Sequence, residues 1–186
     1  MKHLKKTIAA AALLPSVAMA HPGHEAGTVL AGMAHPLSGA DHILAMVAIG
    51  LMAVQLGGRA LWAVPAGFVG AMLVGAAMGA HGVPFFSVEP LILASIIVLG
   101  AVVALSARLP VTALVPMVAL FGMAHGWAHG AEGPAHGMAG YFAGFALATA
   151  ALHLAGMVFG RVIHRFALRG LGLATAAAGL ALAFAG

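Results

Sequence analysis

The sequence contains no cysteine and very little charge, since only 6% of its 186 residues are Asp, Glu, Lys or Arg. The absence of cysteine excludes disulfides and thiolate metal sites, so a metal would need nitrogen, oxygen or thioether ligands. The low charge excludes a water-soluble surface, which needs roughly a quarter of its residues charged. Because 63% of the residues are hydrophobic, the sequence predicts an all-α membrane protein embedded in the lipid bilayer.

Two classes of partner are not expected. The eight Lys and Arg give a net charge of +4, but they are scattered between apolar runs and form no patch with interleaved aromatic residues, as nucleic-acid binding requires. No phosphate-binding Gly-Lys-Ser/Thr loop occurs, so the chain is not expected to bind or hydrolyse a nucleotide. The sequence contains no indication of the oligomeric state.

The first twenty residues have the pattern of a secretory signal. Three lysines precede the apolar run at residues 8–14, and Ala-Met-Ala at residues 18–20 is typical of a cleavage site. The apolar run is too short to cross a bilayer comfortably. We therefore predict a cleaved signal peptide over residues 1–20 and a single transmembrane domain over residues 21–186.

Six apolar stretches follow, each long enough or nearly long enough to cross a bilayer. They lie at residues 30–56, 60–80, 88–107, 110–126, 137–160 and 166–185. The first is over-long and interrupted by Pro36 and Gly39, and the fourth is short and contains Pro116. Bends or unwound turns are expected at these positions. The sequence thus predicts a bundle of about six transmembrane helices, with helices broken near the periplasmic face.

The charges orient this bundle. By the positive-inside rule the arginines face the cytoplasm of a bacterial inner membrane, and both mature termini are then periplasmic. The arginines are Arg59, Arg108, Arg161, Arg165 and Arg169. All four carboxylates and eight of the eleven histidines fall at the periplasmic side, namely Glu25, Asp41, Glu89 and Glu132 with His21, His24, His35, His42, His81, His125, His129 and His136. This polarity suits capture of a cation from outside. Whether His21 and His24 collect metal or belong to a flexible tail is open.

The first group of metal-ligating side chains is the motif His-Pro-Leu-Ser-Gly-Ala-Asp-His at residues 35–42. On an unbroken helix His35 and His42 would stand about 10 Å apart, too far for one small ion, so a break between them is needed. Asp41 and His42 point in different directions on a helix, so one is expected to bind the ion while the other orients a ligand. Met46 is expected to pack rather than bind.

The second group is His-Gly-Trp-Ala-His-Gly-Ala-Glu at residues 125–132. The i,i+4 spacing stacks His125 and His129 on one helix face, a common way of offering two nitrogens to one metal. Glu132 can add an oxygen if the helix unwinds near it. Glu89, before Pro90, is the only carboxylate at the head of the third span.

Each of these residues alone has a simpler explanation. A lone membrane histidine often hydrogen-bonds a neighbouring helix, which is our expectation for His153 in preference to a role as an ion way-station. Taken alone, Glu89 is explained by the favourable interaction of a carboxylate with the helix dipole at the N-terminus of a helix. Three carboxylates and four histidines at one depth of a membrane protein cost free energy unless they pair or serve a function. Taken together they therefore favour a functional site.

These motifs resemble the signature of the HupE/UreJ family, and the resemblance covers the whole mature chain, including the His-Pro-Gly-His start. It implies a secondary permease for nickel, or sometimes cobalt, associated with hydrogenase or urease maturation. Carried over by position, it marks six residues as expected to matter for transport, namely His35, Asp41, His42, Glu89, His129 and Glu132. His125 matches as well.

We therefore predict a secondary transporter, not an enzyme, that takes up Ni²⁺ or next Co²⁺ from periplasm to cytoplasm and has no permanently bound cofactor. A site of imidazoles and carboxylates suits divalent nickel, cobalt, zinc or manganese and disfavours cuprous ion. Two alternatives remain. One is a membrane receptor that binds metal without transporting it. The other is an intramembrane zinc hydrolase, which the lack of a His-Glu-x-x-His sequence disfavours.

Overall fold

The computed structural model describes residues 27–185, in which all regular structure is helical. The α-helices are α1 Val29–Ala34, α2 Ala40–Leu56, α3 Ala60–Ala80, α4 Val88–Leu105, α5 Val111–Ala131, α6 Met138–Val162 and α7 Arg165–Ala185, and a 3₁₀ turn His35–Leu37 follows α1. The predicted signal peptide and the residues His21, His24 and Glu25 lie outside the described residues.

Helices α3 to α7 contain 18–25 residues each and are apolar enough to cross a membrane. The segment Val29–Leu37 meets α2 at an angle of 87°, and this bent pair is a sixth span if it counts as one. The predicted all-α transmembrane bundle is confirmed.

Helix α5 is longer than the predicted fourth span. It continues through Pro116 and on to Ala131, five residues beyond the predicted end at residue 126. Its last turns are polar in composition but mostly buried by neighbouring helices, and this burial is why an apolar pattern alone ended the span too early.

The starts of α2 and α4 meet the end of α5 at one end of the bundle, and the connections after α2, α4 and α6 meet at the other. The charged residues are thereby separated to two ends. The end that carries Arg59, Arg108, Arg161 and Arg165 is called the arginine-rich end. The opposite end carries Asp41, Glu89 and Glu132 and is called the ligand-rich end.

Helix α2 lies at the centre and packs against α3, α4, α6 and α7. Its side chains Met46, Ile49 and Met52 are fully buried, and Met46 packs in the core as predicted. The outward faces of other helices expose large apolar side chains such as Trp62 and Phe184. Such faces are unsuited to water and are those that contact lipid.

Glycines allow α5 to pack directly on the backbone of α3. Gly122, Gly126 and Gly130 recur at every fourth position and so share one helix face. A Cβ atom added at any of the three would overlap a carbonyl oxygen of α3. Small residues at this spacing permit close approach of membrane helices. His125 and His129 adjoin these glycines, so this contact determines where both imidazoles point.

The substitution Gly126→Ala tests this packing. We expect it to destabilise the protein by about 1–3 kcal/mol, because its Cβ would overlap the Met72 carbonyl oxygen and force the helices apart. Thermal unfolding in detergent measures the effect. The matched control is Gly70→Ala in α3, where a Cβ meets no heavy atom within 4 Å and alanine favours the helix. Equal melting temperatures for the two variants would contradict the close contact.

Candidate metal centre

A cavity of about 490 Å³ lies at the ligand-rich end, between the 3₁₀ turn, the starts of α2 and α4 and the end of α5. Six of the seven predicted ligands line it, namely His35, Asp41, His42, Glu89, His129 and Glu132. The seventh, His125, is fully buried behind His42. The structure therefore brings all seven side chains to one region, and their role as metal ligands stays a prediction.

The bend before α2 directs His35 towards α5. Pro36 lies in the 3₁₀ turn, and Gly39 adopts an extended conformation (φ −100°, ψ 123°) before α2 begins. As a result the ring centroid of His35 lies 4.6 Å from that of His129. The His42 ring lies 4.4 Å from the same His129 ring. The two histidines of the first motif are thus joined through a histidine of the second.

The outer part of the centre combines two imidazoles and a carboxylate. One ligand atom from each of His35, His129 and Glu132 lies within 4.8 Å of the others. Glu132 stands just past the end of α5, where it is exposed, whereas His129 is buried. Ligand atoms on opposite sides of one ion stand about 4.2 Å apart when each bond is about 2.1 Å. A small inward movement would therefore let all three share an ion.

The inner part of the centre is a contact of three imidazoles. The Nε2 atom of His42 lies 2.9 Å from Nδ1 of His125 and 2.5 Å from Nε2 of His129. Nitrogens that share a tetrahedral ion stand roughly 3.3 Å apart. The His42 ring would thus need to move away from its partners by less than about 1 Å to admit an ion between them.

Asp41 orients His42. Its Oδ1 atom lies 3.3 Å from Nδ1 of His42, so this carboxylate favours a ring proton on Nδ1, and a neutral imidazole then keeps its lone pair on Nε2. A carboxylate behind an imidazole commonly holds a histidine in place as a metal ligand. The geometry therefore favours His42 as the direct ligand and Asp41 as the orienting group.

Ser95 performs the corresponding function for His125, and sequence reasoning missed it. Its buried hydroxyl donates to the carbonyl oxygen of Ile92 at 2.6 Å, and its oxygen lies 2.9 Å from Nε2 of His125. Because the hydroxyl proton is already used, the oxygen accepts from the Nε2–H of His125 and leaves Nδ1 unprotonated. One signal was available, since Ser95 is the only polar residue of α4 besides Glu89.

With the protons of His42 and His125 assigned in this way, a lone pair of one ring points at a lone pair of the other. Nε2 of His42 and Nδ1 of His125 both lack a proton when Asp41 and Ser95 hold the other nitrogens, and they lie 2.9 Å apart. Two such nitrogens repel each other in a buried site unless a positive charge lies against them. A divalent metal ion, or a proton, supplies that charge. The inner part of the centre is therefore suited to a cation.

The remaining described histidines lie outside this centre. His81, His136 and His164 are exposed, and His153 is buried in α6. The predicted hydrogen bond from His153 to a neighbouring helix is wrong, because neither ring nitrogen has a partner among the residues that the structure describes. Its surroundings are mainly apolar, including Val69 and Leu154.

Comparison with known proteins agrees with the motifs. The family model described as HupE / UreJ protein matches residues 9–182. The chain is 44% identical over 188 residues to Protein HupE of Rhizobium leguminosarum bv. viciae, and the alignment covers 100% of this chain and 97% of that relative. No solved structure matches the sequence.

The role of Asp41 can be tested by metal titration. In Asp41→Asn the side chain keeps its shape but no longer holds Nδ1–H of His42 with a charged acceptor. We expect the affinity for Ni²⁺ to fall about 10- to 100-fold, as is typical when an orienting partner is lost. Calorimetry on the purified protein measures this change. His164→Ala, at the arginine-rich end, is the control and should bind like the parent. An unchanged affinity in Asp41→Asn would refute the orienting role.

Proposed function

The chain belongs to the HupE/UreJ family, and from that premise we propose that it is a secondary transporter of a divalent transition-metal ion. Ni²⁺ is the first candidate cargo and Co²⁺ the second. One observation carries the proposal: imidazoles and carboxylates from α2, α4, α5 and the 3₁₀ turn converge on one cavity, at the end of the bundle opposite the arginines.

The cavity has the charge needed to capture a cation. Its described lining contains the carboxylates Asp41, Glu89 and Glu132 and no Lys or Arg. Negative charge in a cleft with low-dielectric walls raises the local concentration of cations. Exchange of bound water for carboxylate oxygens and then for the imidazoles of His35 and His129 would dehydrate the ion in steps. Imidazole is a good ligand for nickel and cobalt, whereas magnesium and calcium prefer oxygen ligands.

The proposed direction of transport is from the ligand-rich end to the arginine-rich end. By the positive-inside rule the arginine-rich end lies in the cytoplasm, and the cavity then opens to the periplasm. A doubly charged ion that crosses a 100 mV inward-negative potential gains about 4.6 kcal/mol, enough to concentrate it about 2,000-fold at equilibrium. The membrane potential is therefore a sufficient driving force without nucleotide hydrolysis.

Uptake of radioactive nickel into proteoliposomes tests transport. We expect the parent protein to accumulate Ni²⁺, and His42→Ala to reduce the initial rate at least about tenfold because the central imidazole of the cluster is lost. His164→Ala is the control and should retain the parent rate. Saturable Ni²⁺ binding by the parent without flux would favour the alternative of a membrane receptor that does not transport metal. If the parent neither bound nor transported Ni²⁺, the proposed function would be contradicted.

The driving force can be tested separately with an imposed diffusion potential. An inside-negative potential of about 100 mV should raise equilibrium Ni²⁺ accumulation by up to about 2,000-fold over the value at zero potential. An inside-positive potential should lower it. Accumulation that is identical at all three potentials would show that the ion does not cross as a net positive charge, and would contradict the proposed driving force.

A further inference from the structure

His153 is a buried imidazole that does not line the cavity and lies outside the cluster formed by His42, His125 and His129. Its side chain is only 2% exposed, and both ring nitrogens lack hydrogen-bond partners among the described residues. It borders a small groove between α3 and α6 whose other lining residues include Val69, Ala150 and Leu154. The bilayer interior supplies no water to satisfy polar groups there. An ionisable side chain kept in such a place is generally functional.

His153 belongs to a buried row of side chains that begins beside this cluster. Phe145, Thr149, His153 and Met157 follow one another at every fourth position of α6, so they share one helix face, and all are buried. The ring of Phe145 contacts that of His129, with centroids 4.4 Å apart. His153 lies eight residues further along α6, about 12 Å closer to the arginine-rich end. The row therefore leads inward from the cluster.

A single aromatic ring contacts both the cluster and His153. The ring centroid of Phe68 lies 5.7 Å from that of His125 and 5.4 Å from that of His153. Met72, one turn further along α3, accepts a hydrogen bond at its sulfur from the hydroxyl of Thr149 at 3.6 Å. Imidazole, thioether and hydroxyl groups thus line the same buried stretch. Sulfur and imidazole ligands suit borderline transition-metal ions and do not suit magnesium or calcium.

We propose that His153 is an intramembrane ligand for the transported divalent ion, a second binding position that the ion reaches from the His42, His125 and His129 cluster by passing Phe68. The proposal rests on the transport function proposed above. The unpaired nitrogens of His153 then have a partner during each transport cycle, which explains a buried imidazole that no described helix satisfies.

A single introduced thiol can report metal at this position, because the parent chain contains no cysteine. When Co²⁺ is added to the purified His153→Cys variant, we expect a thiolate-to-cobalt charge-transfer band in the near ultraviolet. The control is Leu154→Cys, whose side chain is 53% exposed on the outer surface of α6 and should produce no band. Absence of the band in a His153→Cys protein that still binds Co²⁺ at the cluster would overturn the proposal.

Transport measurements supply a second readout. We expect His153→Ala to reduce Co²⁺ flux into proteoliposomes at least about tenfold, as loss of a metal-coordinating group commonly does, while Co²⁺ binding at the cluster stays at the parent level. Preserved binding shows that the variant is folded, and His153→Asn replaces it if the alanine variant does not bind. Parent-like flux in a variant that binds Co²⁺ would overturn the proposal. If the parent itself carries no flux, the transport function fails, and the thiolate band still decides whether position 153 contacts the metal.

Discussion

The interior of a bilayer offers no hydrogen-bond partners, and the arrangement of the polar side chains follows from that constraint. A buried polar group left unpaired costs about 1–3 kcal/mol. Among the described residues, His42, Ser95, His125 and His129 pair with one another, whereas His153 and the Nδ1 atom of His129 have no partner. Asp41 and Ser95 each hold one nitrogen of a buried histidine, and those histidines contact each other. With Asp41 beside Nδ1 of His42 and Ser95 beside Nε2 of His125, the lone pairs are left on the two ring nitrogens that face each other. If the proposed function is correct, stability and affinity for a cation therefore depend on the same atoms.

Backbone contacts between helices keep these atoms in position. Glycines bring α5 onto α3, and Gly50 and Gly156 do the same for α2 and α6. Where two backbones touch, no flexible side chain sets the distance between the helices, and ligands carried by such rigid elements keep their geometry. His35 differs, because a 3₁₀ turn of three residues carries it. The rim of the cavity is thus held by a short turn, while the buried imidazoles of His42, His125 and His129 are held by long helices.

Periodic features of the sequence predicted the parts of this arrangement that depend on local structure. The apolar run at residues 60–80 coincides with α3, and the i,i+4 spacing correctly placed His125 and His129 on one face. Contacts between helices were beyond that reasoning, because they depend on which faces meet. The contact of His42 with His125, and the hydroxyl of Ser95 behind it, are of this kind. The expectation for His153 failed for the same reason, since the sequence does not reveal that apolar side chains surround it.

A transporter of the proposed kind must release its ion as well as bind it, and the order of the candidate ligands along the bundle bears on this requirement. The cavity offers three carboxylates, the cluster of His42, His125 and His129 offers imidazoles, and the stretch around His153 offers one imidazole with a sulfur and a hydroxyl nearby. Negative charge therefore decreases towards the arginine-rich end, and with it the attraction that would hold a divalent ion in place. A 100 mV potential supplies about 4.6 kcal/mol to a doubly charged ion over the whole crossing. This is far less than the free energy needed to strip a hydrated ion of its water. In the proposed transport, each water that the ion loses must consequently be replaced by a protein ligand, and the candidate ligands spaced along the bundle would achieve this without a single deep binding site.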